Sequence, residues 1–293
     1  LIMGYAVVKA GLLKASDSRV LSVVMVYLVT PCVIINAFQI DDTPEIRKGL
    51  LYSMAIAAAI HVVLLVLSAL LSRPLKLDAV EQVNVIYSNA AALVIPLVKA
   101  LMGDAYVIYS CAFIIVQLVL LWTHASSLLQ GSSALDWKKV LTNINMIAIA
   151  AGALLYWFRV VLPAPLQNTM STVGNMMGPM GMLLAGMAIA EKPLREVFCT
   201  RRNYLPTVLR LVVCPLVVLV LLWVCHASSW VADGKNILMT VYLAAITPAC
   251  ATVTSMAQLY DRDAAHSSAL YVLTTLLSIV SMPVMIGLFD LLL

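Results

Sequence analysis

The chain has 293 residues, 63% of them hydrophobic and only 11% charged, with a mean hydropathy of +1.01. A soluble domain carries roughly 25% charge, so this composition excludes one and describes a polytopic membrane protein. The net charge of +4 is modest, which argues against a nucleic-acid partner and for charge used as a topology signal.

Asp, Glu, Lys and Arg are absent from nine windows, most of them near or above the roughly 20 residues that cross a bilayer core. The windows predict helices at about 21–40, 50–71, 83–102, 106–129, 140–162, 166–190, 205–226, 237–260 and 264–293. A shorter apolar stretch at 1–8 precedes them and reads as the end of a first helix whose front is missing, because the chain begins at Leu1. It lacks the basic n-region and A-x-A site of a signal peptide. An outer-membrane barrel is excluded because the windows are apolar all round, and only helices then satisfy the backbone. The fold class is therefore all-α, with ten transmembrane helices.

Lys and Arg in the loops orient these helices. The loops after helices one, three, five, seven and nine hold twelve: Lys9, Lys14, Arg19; Arg73, Lys76; Lys138, Lys139; Lys192, Arg195, Arg201, Arg202; and Arg262. The opposite set holds five, namely Arg47, Lys48, Lys99, Arg159 and Lys235. Twelve against five places the first set in the cytoplasm and both termini outside the plasma (inner) membrane.

Pro31, Pro44 and Pro96 recur as Pro179, Pro193 and Pro248 at offsets of 148, 149 and 152, and His61 lies 149 residues before Arg210. The chain divides into a first five-helix repeat at 1–130, a cytoplasmic connecting loop at 131–139, and a second repeat at 140–293. Halves with an odd number of helices insert in opposite orientation, the inverted-repeat architecture of secondary transporters.

Pro96 near the middle of helix four predicts an opened hydrogen-bond ladder at Ile95, since proline lacks the donor and disfavours helix before it. In helix nine, Thr247 can cap and Pro248 can start a new half-helix. Two broken helices would then cross near the midplane. Opened backbone in hydrocarbon must line a polar cavity or be buried in protein, and the half-helix N-termini favour an anion such as a carboxylate. Ser88, Asn89, Thr247, Thr252, Thr254 and Ser255 can supply side-chain hydrogen bonds around it. Two ionisable residues lie within spans. Arg210 is a candidate counter-ion roughly 10 Å deep, within snorkelling reach of the cytoplasmic surface. His61 is a candidate for proton coupling or a packing histidine.

Gln117, His124, Asn143, Asn145 and Asn175 read as interhelical glue. The glycines and methionines of 174–187 read as a packing or dimer face. Six cysteines lack CxxC spacing, so neither a disulfide framework nor a metal site is expected, and no cofactor is implied. HExxH, GxSxG and P-loop motifs are missing, which speaks against an enzyme.

Ten helices, with prolines in helices four and nine and an asparagine seven residues before the first of them, resemble the auxin efflux carrier family. The resemblance runs through Gly4-Tyr5, Tyr27-Leu28 and Pro31, Asn89 to Pro96, Pro248, Tyr260-Asp261, and Thr274-Thr275 to Pro283. It implies a dimerising scaffold of helices one, two, six and seven, with the homodimer formed through helices two and seven. It also implies a mobile unit of helices three to five and eight to ten that moves like an elevator. Asn89 would contact an auxin-like anion or a dicarboxylate such as malate or malonate. The run Ala90 to Ala92 departs from the glycine or polar residue the family keeps there and removes hydrogen-bonding groups. Two alternatives remain. A sodium-coupled symporter like the bile acid carriers would need an oxygen cage at the crossing, and a non-transporting membrane sensor would bind ligand without flux.

Overall fold

The computed structural model describes residues 2–39, 43–131, 142, 144–191 and 194–293. Lys138, Lys139, Asn143, Lys192 and Pro193, and all of the connecting loop except Gly131, lie outside the described residues. Among those described, the secondary structure is helical apart from one isolated antiparallel bridge. Helix α1 is Ile2–Lys9. Helix α2 runs as Ser18–Val24, a π-turn at Met25–Val29, and Thr30–Ala37. Helix α3 is Pro44–Ser72, and α4 is split into α4a, Ala79–Ile86, and α4b, Ala90–Met102. Helix α5 runs as Val107–Leu120, a π-turn at Leu121–Ala125, and Ser126–Gln130. Helix α6 is Ile144–Trp157, and α7 is Ala164–Gly174 and Met177–Glu191. Helix α8 runs as Tyr204–Val208, a π-turn at Leu209–Val213, and Cys214–Val224. Helix α9 is split into α9a, Gly234–Ile246, and α9b, Ala251–Leu259. Helix α10 is Ala264–Leu292.

The π-turns of α2 and α8 each end one residue before a Thr-Pro or Cys-Pro pair, Thr30-Pro31 and Cys214-Pro215. A proline cannot donate to the preceding turn, so the ladder widens locally instead of breaking. In α2 the Thr30 hydroxyl donates to the Met25 carbonyl at 2.8 Å.

Among the described residues, five helices are long and apolar enough to cross a membrane, over Ser18–Asn36, Pro44–Ser72, Val107–Gln130, Arg201–Val224 and Ala264–Leu292. Their outer faces are apolar: α3 exposes Leu51, Val62, Val66 and Leu70 while burying Ile56, Ile60 and Leu64. That pattern suits a lipid solvent, where an apolar surface carries no penalty.

The largest apolar cluster joins α3, α4, α5, α8, both halves of α9 and the end of α10, with Ile34 of α2 and Ala148 of α6 also within it. A separate cluster joins Met25 and Val29 of α2 to Met177 and Met180 of α7. Helix α1 packs on α7, and α6 packs on α2. The α1–α7 approach is close: a Cβ on Gly4 would overlap the Leu183 carbonyl oxygen and stand 3.0 Å from the Met187 amide nitrogen.

Loops meet at two ends. At one, Arg202 donates to Glu81 Oε1 at 2.7 Å and to Asp78 Oδ2, His266 Nε2 lies 3.2 Å from Glu81 Oε1, and Arg262 donates to the Leu129 carbonyl at 2.6 Å. At the other, Tyr106 donates to Asp233 at 2.7 Å, Tyr52 donates to the Ala227 carbonyl at 2.6 Å, and the Leu162 amide donates to Gln39 at 2.8 Å.

Burial alone would raise the Glu81 carboxyl, but the Arg202 hydrogen bond, the Asp78 amide and the Arg202 charge outweigh it and hold the group below its ordinary 4.5. A carboxyl held low contributes stability above its unfolded value and loses it as pH falls through the folded one. Thermal midpoints in detergent are expected to drop on acidification below that ordinary value. Glu81→Gln should flatten this limb, and an unchanged limb in the variant would refute the assignment. Gly4→Val should lower the midpoint at neutral pH by about 1–3 kcal/mol of overpacking. Gly287→Ala, with nothing within 4 Å of the added Cβ, should leave it unmoved.

Candidate functional site

Helix α4a starts on a capping box, with Asp78 Oδ1 accepting from the Glu81 amide and Glu81 Oε2 accepting from the Asp78 amide, both at 2.8 Å. It ends at Ile86, where Tyr87 turns extended with φ −93° and ψ 124°. Helix α9a ends at Ile246, and Thr247 turns extended with φ −61° and ψ 155°. The two opened segments pair antiparallel at Ser88 and Ala249. The Asn89 amide donates to the Pro248 carbonyl at 2.7 Å, and the Cys250 amide to the Tyr87 carbonyl at 3.1 Å.

This location corrects the expected break in helix four. The ladder was expected to open at Ile95 before Pro96, yet α4b continues as helix from Ala90 through Pro96 to Met102. One missing donor costs one bond, whereas a full opening needs substitutes for several groups, and those substitutes exist only at residues 87–89, where the other opened segment passes. In helix nine the break does fall at Pro248, but Pro248 does not start the second half-helix. That helix begins at Ala251 with Cys250 as its N-cap, and Thr247 Oγ1 donates back to the Ala244 carbonyl at 3.0 Å instead of capping forward. The offset between the breaks is 161 residues, from Ser88 to Ala249. Pro96 and Pro248 are therefore not equivalent positions.

Side chains complete the accounting. Gln117 Oε1 accepts from the Ser88 amide at 3.0 Å and the Ser88 hydroxyl at 2.7 Å, while Gln117 Nε2 donates to the Ser88 carbonyl at 2.7 Å. Thr274 Oγ1 accepts from the Ala249 amide at 3.2 Å. Arg210, 1% exposed, donates to Thr247 O at 3.0 and 2.8 Å, to Val85 O at 3.1 Å, to Ile86 O at 3.2 Å, and to Ala245 O. The expectation that Arg210 could snorkel to the cytoplasmic surface is therefore corrected: it turns inward from the α8 π-turn, where the carbonyls left open at the ends of α4a and α9a need donors.

Beyond the crossing stand the first turns of α4b and α9b, whose amides lack an acceptor one turn back along their own helix. A small cleft, partly open to solvent, lies against the first turn of α9b. One wall is Ala251, Thr252, Thr254, Ser255 and Gln258 of α9b with Ser268 and Tyr271 of α10; the other is Ser18, Ser22 and Met25 of α2 with Leu184 of α7. Asn89 Nδ2 donates to the Tyr271 hydroxyl at 3.4 Å, linking α4b to this wall. Ser255 donates to Ser22 at 3.3 Å across the cleft, and Thr254 Oγ1 lies 3.1 Å from Ser267 Oγ. Met25, Leu184 and Ala251 make part of the lining apolar, the other lining residues carry hydroxyl or amide groups, and none is charged.

Of the residues singled out from the sequence, Thr252, Thr254 and Ser255 line the cleft, and Asn89 borders it through Tyr271. Ser88, Thr247 and Pro248 lie in the crossing itself, and Pro96 lies in the helical body of α4b. His61 lies in α3, fully buried and close to Gln117 and Arg210 of the crossing, with Nδ1 2.7 Å from the Ala57 carbonyl and its ring 4.7 Å from that of Phe113. Tyr271, Thr274, Ser22 and Gln258 were not identified as site residues. A signal for the first two exists in the spacing Ser267, Tyr271, Thr274, Ser278, a polar stripe at helical intervals in an apolar helix. Among the described residues, no group of three or more His, Cys, Asp or Glu could hold a metal ion.

A family model described as membrane transport protein matches the chain over residues 1–135 and again over residues 133–286. No curated protein matches it at a significant level.

The Gln117 clamp makes a direct demand on stability. Gln117→Met leaves three polar groups of Ser88 without partners in a buried segment, each worth about 1–3 kcal/mol. Its thermal midpoint in detergent is expected to fall well below that of Gln130→Met, which loses one half-buried bond to Ser126. Equal midpoints would show that Ser88 finds other partners.

Proposed function

The chain belongs to the auxin efflux carrier family of membrane transport proteins, and from that premise we propose that it is a secondary carrier for a small organic anion. The carboxylate binds where the first turn of α9b lines the cleft and Asn89, at the start of α4b, reaches the same wall through Tyr271; Thr252, Thr254 and Ser255 complete the set. The observation that carries this reading is the backbone bridge between Ser88 and Ala249, because it brings two helix N-termini to one place. Each contributes about half a positive charge, so the pair offers roughly one, which suits a single carboxylate. The uncharged lining supplies hydrogen bonds without a competing anion.

The same reading includes ten spans in two inverted halves. An antiparallel bridge between α4 and α9 is what inversion would produce, since equivalent helices then run in opposite directions. The clustering of Asp78, Glu81, Arg202, Arg262 and His266 at one end accords with the surplus of Lys and Arg that assigns that end to the cytoplasm. The cleft, bounded by Ser18 and Gln258 toward that end, then opens inward. The α2–α7 cluster acts as the scaffold and dimer contact, and the larger cluster shifts past it, carrying the crossing with it.

Purified protein screened by thermal shift against mono- and dicarboxylates should show stabilisation by at least one anion. That anion should then be taken up by proteoliposomes in a saturable manner. Asn89→Ala should cost about tenfold or more in apparent affinity, one or two hydrogen bonds to a charged group being worth about 1.5–3 kcal/mol, with the unliganded thermal midpoint little changed. Unaltered affinity and flux in Asn89→Ala would refute the site.

A further inference from the structure

We infer that Arg210 is the resident cation of the crossing: its guanidinium stands where a free coupling cation would sit in an oxygen cage, and so fixes the C-terminal ends of α4a and α9a from which α4b and α9b depart. The inference rests on the carrier reading for its functional part and on geometry for the rest.

The cage is made of Val85 O, Ile86 O, Ala245 O and Thr247 O, all at or just past the C-terminal ends of α4a and α9a. In transporters with broken helices, opened carbonyls and half-helix C-termini are the groups that coordinate sodium. Here every hydrogen bond of Arg210 among the described residues goes to one of these carbonyls, and its side chain is buried. No carboxylate among the described residues pairs with it. Each helix C-terminus carries about half a negative charge, so two of them match one guanidinium. A planar, always charged fork with five donors spans four oxygens that come from two different helices, which a lysine ammonium would not do as fully. The residue reaches this point because the α8 π-turn at Leu209–Val213 carries it and Cys214-Pro215 prevents the turn from tightening.

With the negative ends neutralised by a tethered charge, the positive ends of α4b and α9b remain for the substrate, and no alkali cation is needed to assemble the site. Arg210 is thus a positioning residue that acts on the anion through the crossing.

The test uses the full chain in detergent and in proteoliposomes. For the wild type, replacing sodium by potassium or N-methylglucamine should leave the thermal midpoint and anion flux unchanged; sodium-dependent stabilisation or flux would overturn the inference. Arg210→Ala should lose about 10 °C or more, and millimolar methylguanidinium should restore both midpoint and the anion-induced shift, whereas isosteric neutral methylurea should not. Equal rescue by methylurea, or a variant as stable as the wild type, would also overturn it. If Arg210→Ala does not fold, Arg210→Lys against Arg210→Gln decides: retained anion affinity in the lysine variant alone supports a charge role, and equal affinities refute it. If neither of these folds, the wild-type sodium comparison is decisive. Midpoints measured without any anion separate this inference from the carrier reading, since methylguanidinium rescue without carboxylate flux would preserve the first and sink the second.

Discussion

A polypeptide that opens its helices in the middle of an apolar body must find a partner for every freed N–H and C=O, since hydrocarbon supplies none. The arrangement around the crossing of α4 and α9 answers that constraint group by group. Each opened segment donates one backbone hydrogen bond to the other, Gln117 holds Ser88 on one side, Thr274 holds the Ala249 amide on the other, and Arg210 takes the carbonyls left at the two helix ends. These partners come from α5, α8 and α10. Three helices that are otherwise lipid-facing rods are thereby tied to one point, and the largest apolar cluster of the chain forms around it.

The division of labour within each broken helix follows from polarity. First halves end in carbonyls, which attract a cation, and that cation is covalently supplied. Second halves begin in amides, whose polarity favours an anion, and the first turn of α9b lines the cleft.

Much of this was legible in the sequence. Windows free of charge gave an all-helical membrane chain, and Pro248 marked the break in α9 because a proline flanked by small and polar residues has no better place. Gln117 was correctly read as glue between helices. The break in α4 was not legible at its true position, because its cause is tertiary: nothing local in Tyr87, Ser88 and Asn89 forbids helix, and they unwind because residues 248–250 pass beside them. Pro96 misled for the complementary reason, since one absent donor can be absorbed within a helix. The direction of Arg210 was hidden too. Depth along a helix is readable from residue counts, but the side to which a π-turn rotates a side chain is not.

Among the described residues, a single side-chain hydrogen bond, Ser255 to Ser22, crosses the cleft between α9b and α2. A hydroxyl pair of this kind exchanges readily for water, each partner being as well satisfied by solvent as by the other. The seam therefore has little polar adhesion, and its cohesion falls to apolar side chains such as Met25 and Leu184 beside it.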